Sequence, residues 1–183
     1  MAIRRILQLG DPLLRARSLP VVPAEAGTVL RDLEDTLAEF RRSHGFGRAI
    51  SAIQIGAPVR VIFMQVDGTR YELLNPEFTW QSAEMFELWD DCFSFPNLMV
   101  RLRRHCRIRL AHQNRDGDTL ELEADGAMAE LIQHEMDHLD GILLLERLDE
   151  DQRKDAKKLL RERSLDLIHS GDPDGLSALI NED

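Results

Sequence analysis

Two histidines, His134 and His138, stand four residues apart in the segment "QHEMDHLDG" (133–141), with Glu135 directly after the first. On a helix four residues turn about 400°, so both imidazoles leave one face, one turn apart. Placed this way they can hold a single metal ion, and Glu135 lies close enough to handle a proton from a bound water. The competing account is a solvated polar helix, because H-E-x-x-H arises by chance and His, Glu and Asp are common on surfaces.

The third ligand decides what chemistry such a pair could do. The long metzincin pattern asks for a histidine at a position occupied here by Leu144, and nothing recommends Glu146 or Glu162 for a thermolysin-like site. Upstream, "WDDCFSFPN" (89–97) offers Cys92, expected in a polar loop, whose thiolate is a good soft ligand. Cys106 reads instead as a small buried residue in mid-strand on an apolar face. From residue types alone, a Cys/His/His set points to zinc.

The elements that must position these groups are legible in the hydrophobic pattern. From Pro23 to about Ser43, Leu30, Leu33, Leu37 and Phe40 recur at helical spacing, and Gly45 ends the pattern. "RVIFMQV" (60–66) and "YELLNPEFTW" (71–80) flank Asp67-Gly68 and read as a hairpin. "HCRIRLAH" (105–112) and "TLELEADG" (119–126) alternate apolar with charged residues around Asp116-Gly117, the mark of an antiparallel sheet with one wet face. A helix is predicted from near Gly126 to Leu139 with Gly141 as its terminator, and a last helix over 149–167. The expected fold is α+β, with antiparallel sheets packed around the helix that carries His134 and His138.

At 183 residues the chain suits one compact domain, 1–183, in which about 168–183 form a tail. Hydrophobic residues at 43% and charged residues at 31% describe a globular chain rather than a disordered one. A net charge of −10 speaks against nonspecific nucleic-acid binding, and no sequence-specific nucleic-acid partner is expected. No apolar run approaches the ~20 residues that a membrane span needs. Two cysteines make no disulfide framework, so a reducing cytoplasm is the expected location. The segment "RKDAKKLLRER" (153–163) is locally basic and could touch an acidic partner such as ribosomal RNA, although a solvated helix face is the simpler account.

Three segments, in order and at fitting separations, resemble the peptide deformylases. "GRAISAIQIG" (47–56) resembles their G-x-G-L-A-A-x-Q-I-G motif, "DDCFSFP" (90–96) their E-G-C-L-S-x-P motif, and "QHEMDHLDG" their Q-H-E-x-D-H-L-x-G motif. The likeness takes in "GDPLLR" (10–15) and "LLNPEF" (73–78) and spans about residues 3–165. It implies a metal-dependent hydrolase that removes the formyl group from the formyl-methionine of newly made peptides. Cys92, His134 and His138 would hold one divalent ion: ferrous iron (Fe2+) by family, with zinc, nickel or cobalt able to replace it. Glu135 would pass the proton, and Gln54 with the backbone N–H of Phe93 would meet the oxyanion.

The sequence departs from the motifs around those residues. Arg48 stands where an aliphatic residue is usual and Ala49 replaces a glycine. Asp90 replaces glutamate, Asp91 replaces glycine, and Glu130 takes a hydrophobic place one turn before His134. The resemblance puts Arg48, Ala49, Asp91, Ala127 and Glu130 at the substrate, so the charges among them could move specificity towards a polar first residue or a small formylated amine. A zinc endopeptidase is the alternative enzyme, which Cys92 and Gln54 oppose. A non-catalytic metal-stapled module is a third reading, for which Glu135 would be superfluous.

Overall fold

The computed structural model describes residues 2–156 and 158. The chain runs through α1 (Gly27–His44), β1 (Ala49–Ser51), β2 (Val61–Val66), β3 (Thr69–Gln81), β4 (Met85–Cys92), β5 (Phe95–His105), β6 (Arg107–Gln113), β7 (Thr119–Asp125) and α2 (Gly126–Leu139). Short 3-10 turns fall at Pro12–Arg15, Pro23–Glu25, Ala52–Ile55 and Leu144–Arg147. Strands β1-β2-β3-β6-β7 form one sheet in that order, while β4 and β5 pair as a separate ribbon. Every pairing is antiparallel.

Alternation along β2 explains the layering. Ile62 and Met64 face one side, where they pack with Ile132, Met136 and Leu139 of α2. Val61 and Phe63 face the other, against Leu30, Leu33 and Leu37 of α1. The sheet therefore separates the two helices, and α2 receives the β4–β5 ribbon on a further side. That enclosure buries every residue of α2 from Ala129 to Leu139. The expected α+β architecture around the H-E-x-x-H helix is the one observed.

The β2–β3 hairpin turns at Asp67-Gly68, both at positive φ (49° and 80°), as a two-residue hairpin loop requires. Three expectations need correction. Pro23–Glu25 forms its own 3-10 turn, so α1 starts at Gly27 rather than Pro23. Cys92 does not sit in a loop: it is the last residue of β4. The segment looked like loop because Asp90, one of its inward residues, is charged; the inward set is Phe86, Leu88, Asp90 and Cys92. Cys106 is half-buried in the bend where the chain leaves β5 for β6, between the two sheets and not in mid-strand. Of the predicted last helix, residues 150–156 are helical; most of the rest, with the tail 168–183 and much of the basic segment 153–163, lies outside the described residues.

The end of α2 is fixed by Gly141. Its φ is +72°, and a Cβ there would stand 2.5 Å from the carbonyl oxygen of Arg15. Neither the backbone region nor that contact admits a side chain. We expect Gly141→Ala to cost at least about 2 kcal/mol, from the left-handed conformation and the displaced Arg15 segment together. Urea unfolding measures this, and an unchanged midpoint would show that Arg15 simply moves aside.

Candidate metal centre

α2 carries six buried polar side chains: Glu130, Gln133, His134, Glu135, Asp137 and His138. Buried polar groups are costly without partners, so where each one bonds defines the site. Gln133 donates to the His105 carbonyl and accepts from the His105 N–H, both at 2.9 Å, which ties the helix to the end of β5. Asp137 accepts from Arg104 Nη1 at 2.7 Å and from Arg147 Nε at 3.0 Å. Arg104 also donates from Nη2 to Asp90 Oδ2 at 2.8 Å. With side chains only 2–9% exposed, Asp90, Arg104 and Asp137 form a buried ionic chain from the ribbon to the helix.

That chain ends on His134. Asp90 Oδ1 lies 2.9 Å from His134 Nδ1, which places a proton on Nδ1 and makes Nε2 the nitrogen that can serve as a ligand. His138 presents Nε2 at 3.1 Å from Cys92 Sγ. Ligand atoms of Cys92, His134 and His138 all lie within 4.8 Å of one another, and all three residues are buried. Sequence reasoning from the helix and from a distant cysteine thus meets at one point.

The electrostatics suit a cation at that point. Burial opposes charge on His134, yet the neighbouring Asp90 and Cys92 raise it well above an ordinary imidazole, so its surroundings favour positive charge. Burial, with His134 alongside, drives His138 well below the ordinary value and keeps it neutral, as an imidazole ligand must be. Burial also resists ionisation of Asp90, but His134 and Arg104 overcome it and hold the carboxyl down to about 2. A second trio, Asp90, Glu130 and His134, has ligand atoms equally close together. Its His134 nitrogen on the Asp90 side is already committed, and Arg104 and Arg48 pair with its two carboxylates. It is an ionic support for the first cluster.

Glu135 is 3% exposed, and its Oε2 has no partner among the described residues. Burial pushes its carboxyl up to about 7, against the pull of His134. A carboxylate so tuned is suited to taking up and returning a proton near neutrality. Ser51 Oγ lies within reach of both Glu135 and Gln54 Oε1 (3.1 Å to the latter), and its one hydrogen serves one of them at a time.

Gln54 comes from the turn Ala52–Ile55 that follows β1. Its Oε1 accepts from Ser51 N–H at 3.0 Å, which orients the amide so that Nε2 points at Cys92 Sγ (3.7 Å) and Ser94 Oγ (3.3 Å). Phe93 occupies the β4–β5 turn. Its ring stacks on Phe40 with centroids 3.8 Å apart, over Gly47, where a Cβ would come within 2.9 Å of Phe93 Cζ.

A cavity of about 350 Å³ opens beside the cluster, lined by Arg48, Ala49, Gln54, Asp91, Cys92, Phe93, Glu130, His134 and Glu135 among others. Arg48 and Glu130, 82 residues apart, pair across it at 2.8 Å. Of the residues expected at the substrate, Ala127 alone stands apart: it is exposed, does not line the cavity, and meets it only through a 3.4 Å carbonyl contact from Arg48. Sequence reasoning missed the supporting residues Arg104, Asp137, Arg147 and Ser51 and gave Asp90 no task. A signal was present, since Asp90 and Arg104 occupy inward strand positions where apolar residues belong.

A Cys/His/His cluster with a buried proton acceptor and an amide donor beside one cavity defines a single-metal hydrolase. The chain belongs to the polypeptide deformylase family, whose sequence profile matches residues 3–154. It is 34% identical to a peptide deformylase of Bartonella tribocorum over 90% of this chain and 94% of that one. Among solved structures it resembles the peptide deformylase of Thermus thermophilus (TM-score 0.81, 30% identity, 92% of this chain and 99% of that one). It also resembles that of Acinetobacter baumannii with Met-Ala-Ser bound (TM-score 0.73, 25% identity, 80% and 99%).

Asp90→Asn keeps the shape and removes the charge behind His134. We expect it to weaken metal binding roughly 10- to 100-fold, as loss of an outer carboxylate typically does. Metal retention against a competing chelator measures this; undiminished retention would show that Asp90 does no more than hold the ribbon to α2.

Proposed function

We propose that this chain, as one metallohydrolase domain over 1–183, removes the N-formyl group from the formyl-methionine of newly made peptides. The observation that carries this reading is the convergence of three buried ligand groups, Cys92 and His134 of them lining one cavity together with Glu135, whose Oε2 is unpartnered, and Gln54. Family membership and the Met-Ala-Ser held by the Acinetobacter relative support a peptide as the substrate.

Cys92 Sγ and one nitrogen each of His134 and His138 are the proposed ligands of one divalent cation. Ferrous iron is the proposed resident, and zinc, nickel and cobalt suit the same thiolate and imidazole donors. When bound, the cation supplies Lewis acidity that activates a water and polarises the formyl carbonyl. Glu135 takes a proton from the attacking water through its unpartnered oxygen. As the carbonyl oxygen gains negative charge, Gln54 Nε2 and the Phe93 backbone N–H donate to it. Glu135 then delivers the proton to the departing nitrogen as the C–N bond breaks, giving formate and a free amine.

Newly made peptides place this work in the cytoplasm. The described residues contain no helix long and apolar enough to cross a membrane. A contact of the basic segment 153–163 with ribosomal RNA belongs to the same proposal, and lysine and arginine side chains there supply the charge for it.

Formate release from formyl-Met-Ala-Ser by the metal-loaded chain tests the reading. Glu135→Gln should lower turnover by about 10²-fold or more with metal still bound, because the variant keeps the size and loses the proton acceptor. Cys92→Ala should lose metal and turnover together. Undiminished turnover in Glu135→Gln would remove Glu135 from the mechanism, and cleavage of unformylated peptides instead would establish an endopeptidase.

A further inference from the structure

The two groups that would meet the oxyanion come from different sheets. Gln54 follows β1 at the edge of the five-stranded sheet, and Phe93 sits in the turn of the β4–β5 ribbon. No strand pairing joins the two sheets among the described residues, so no ladder sets the distance between these groups. The segment Ile6–Leu9, itself neither helix nor strand, spans the gap. Leu7 N–H donates to the Gln54 carbonyl at 2.8 Å, and Leu9 N–H donates to the Ser94 carbonyl at 2.8 Å. Between them Gln8 Nε2 donates to the Ile6 carbonyl at 3.1 Å and to the Phe93 carbonyl at 3.3 Å. Both partners are carbonyls, so the nitrogen of the Gln8 amide and not its oxygen faces them. The side chains divide in the same way: Ile6 packs with Ile50 and Ala52, while Leu9 packs with Cys92 and Phe95. Phe93 is thereby held at its ring, stacked on Phe40, and at its carbonyl. Its N–H donates to no group among the described residues and is free to donate to a bound one.

We propose that Ile6–Leu9 is the positioning segment that sets the separation of the two oxyanion donors, with Gln8 as the side chain that clamps the Phe93 backbone. The proposal rests on the deformylase reading above and adds to it a positioning residue from outside the three motifs. Donors stabilise a developing charge when they are fixed before it appears, and a small displacement of one forfeits much of the effect. Loss of the Gln8 bond frees the Phe93 backbone to rotate, which redirects its N–H. Gln8 touches neither the proposed ligands nor Glu135, so its loss falls on the step in which charge develops.

Two variants of the full chain test this. Gln8→Glu keeps the shape and sets an acceptor against the Phe93 carbonyl, and Gln8→Leu keeps the length without a donor. With formyl-Met-Ala-Ser and metal-loaded protein, we expect kcat to fall about tenfold in both, with KM and metal retention against a chelator unchanged. In the zinc-loaded chain the carbonyl-carbon NMR signal of Phe93 should move in both variants, while the signals of β2 and β3 stay in place. An undiminished kcat in the two variants, or an unmoved Phe93 signal, would overturn the proposal and leave deformylation standing. A fall in kcat matched by an equal loss of metal would make Gln8 a general structural support and overturn it as well. No formate from the unaltered chain would sink the deformylase reading itself.

Discussion

The buried ion chain Asp90–Arg104–Asp137 is the constraint on which the site depends. Cys92 lies on the β4–β5 ribbon, which belongs to a different sheet from the one that packs on α2, and the ribbon could slide or tilt if apolar contacts alone held it. Arg104 makes hydrogen bonds of 2.7 Å and 2.8 Å to one carboxylate on the helix and one on β4, directions that apolar packing does not impose. Removing three charged groups from water opposes folding, and their mutual attraction repays it only when every lone pair and proton is used. Here both carboxylates are engaged on two sides: Asp90 spends its second oxygen on His134, and Asp137 accepts also from Arg147. The structure therefore commits this arrangement for geometry, because each of these bonds fixes where Cys92 stands relative to His134.

The same logic divides labour between the two sheets. The five-stranded sheet supplies the apolar support for α2 and, through β1 and the turn after it, the oriented Gln54 amide. The ribbon supplies the thiol and the Phe93 turn. Between them α2 displays nearly all of its polar groups inward, an arrangement tolerable only because ion pairs, backbone hydrogen bonds and candidate ligand positions await five of the six. The remaining group, Glu135, keeps one oxygen without a partner, as His138 does its Nδ1. A buried unpartnered carboxylate oxygen is destabilising in a structural element, and is useful where a proton must be accepted.

How much of this was legible in the sequence follows from what each signal encodes. The α2 histidines were readable because helical periodicity alone places His134 and His138 on one face. Leucine spacing likewise gave α1, and apolar alternation gave β2, β3, β6 and β7. The ribbon was not readable as structure, because its inward positions include Asp90 and Arg104, and a charged residue on an inward position erases the alternation that marks a strand. Asp137 and Arg147 were invisible for a related reason: pairing across the fold depends on the register of β4 with β5, where Asp90 faces Val100, and on the path of the chain beyond α2. Cys92 was found through its chemistry and its motif, while its strand was misread as loop.

The departures from the family motifs gain meaning from their positions. Asp90, one methylene shorter than glutamate, still reaches both His134 Nδ1 at 2.9 Å and Arg104 Nη2 at 2.8 Å, so the ribbon sits close enough for the shorter acid to serve. Arg48, Asp91 and Glu130 come from three separate segments and line one cavity. Burial, together with the nearby Asp90, raises the Glu130 carboxyl above its ordinary range, and the Arg48 guanidinium opposes that rise. Glu130 without Arg48 would be a buried carboxylate next to Asp90, while Arg48 without Glu130 would lose the partner that folds it over the cavity. The two substitutions are therefore physically dependent on each other. A change confined to the surface would show no such dependence, and this pairing places the mutual constraint in the cavity wall beside Cys92 and His134.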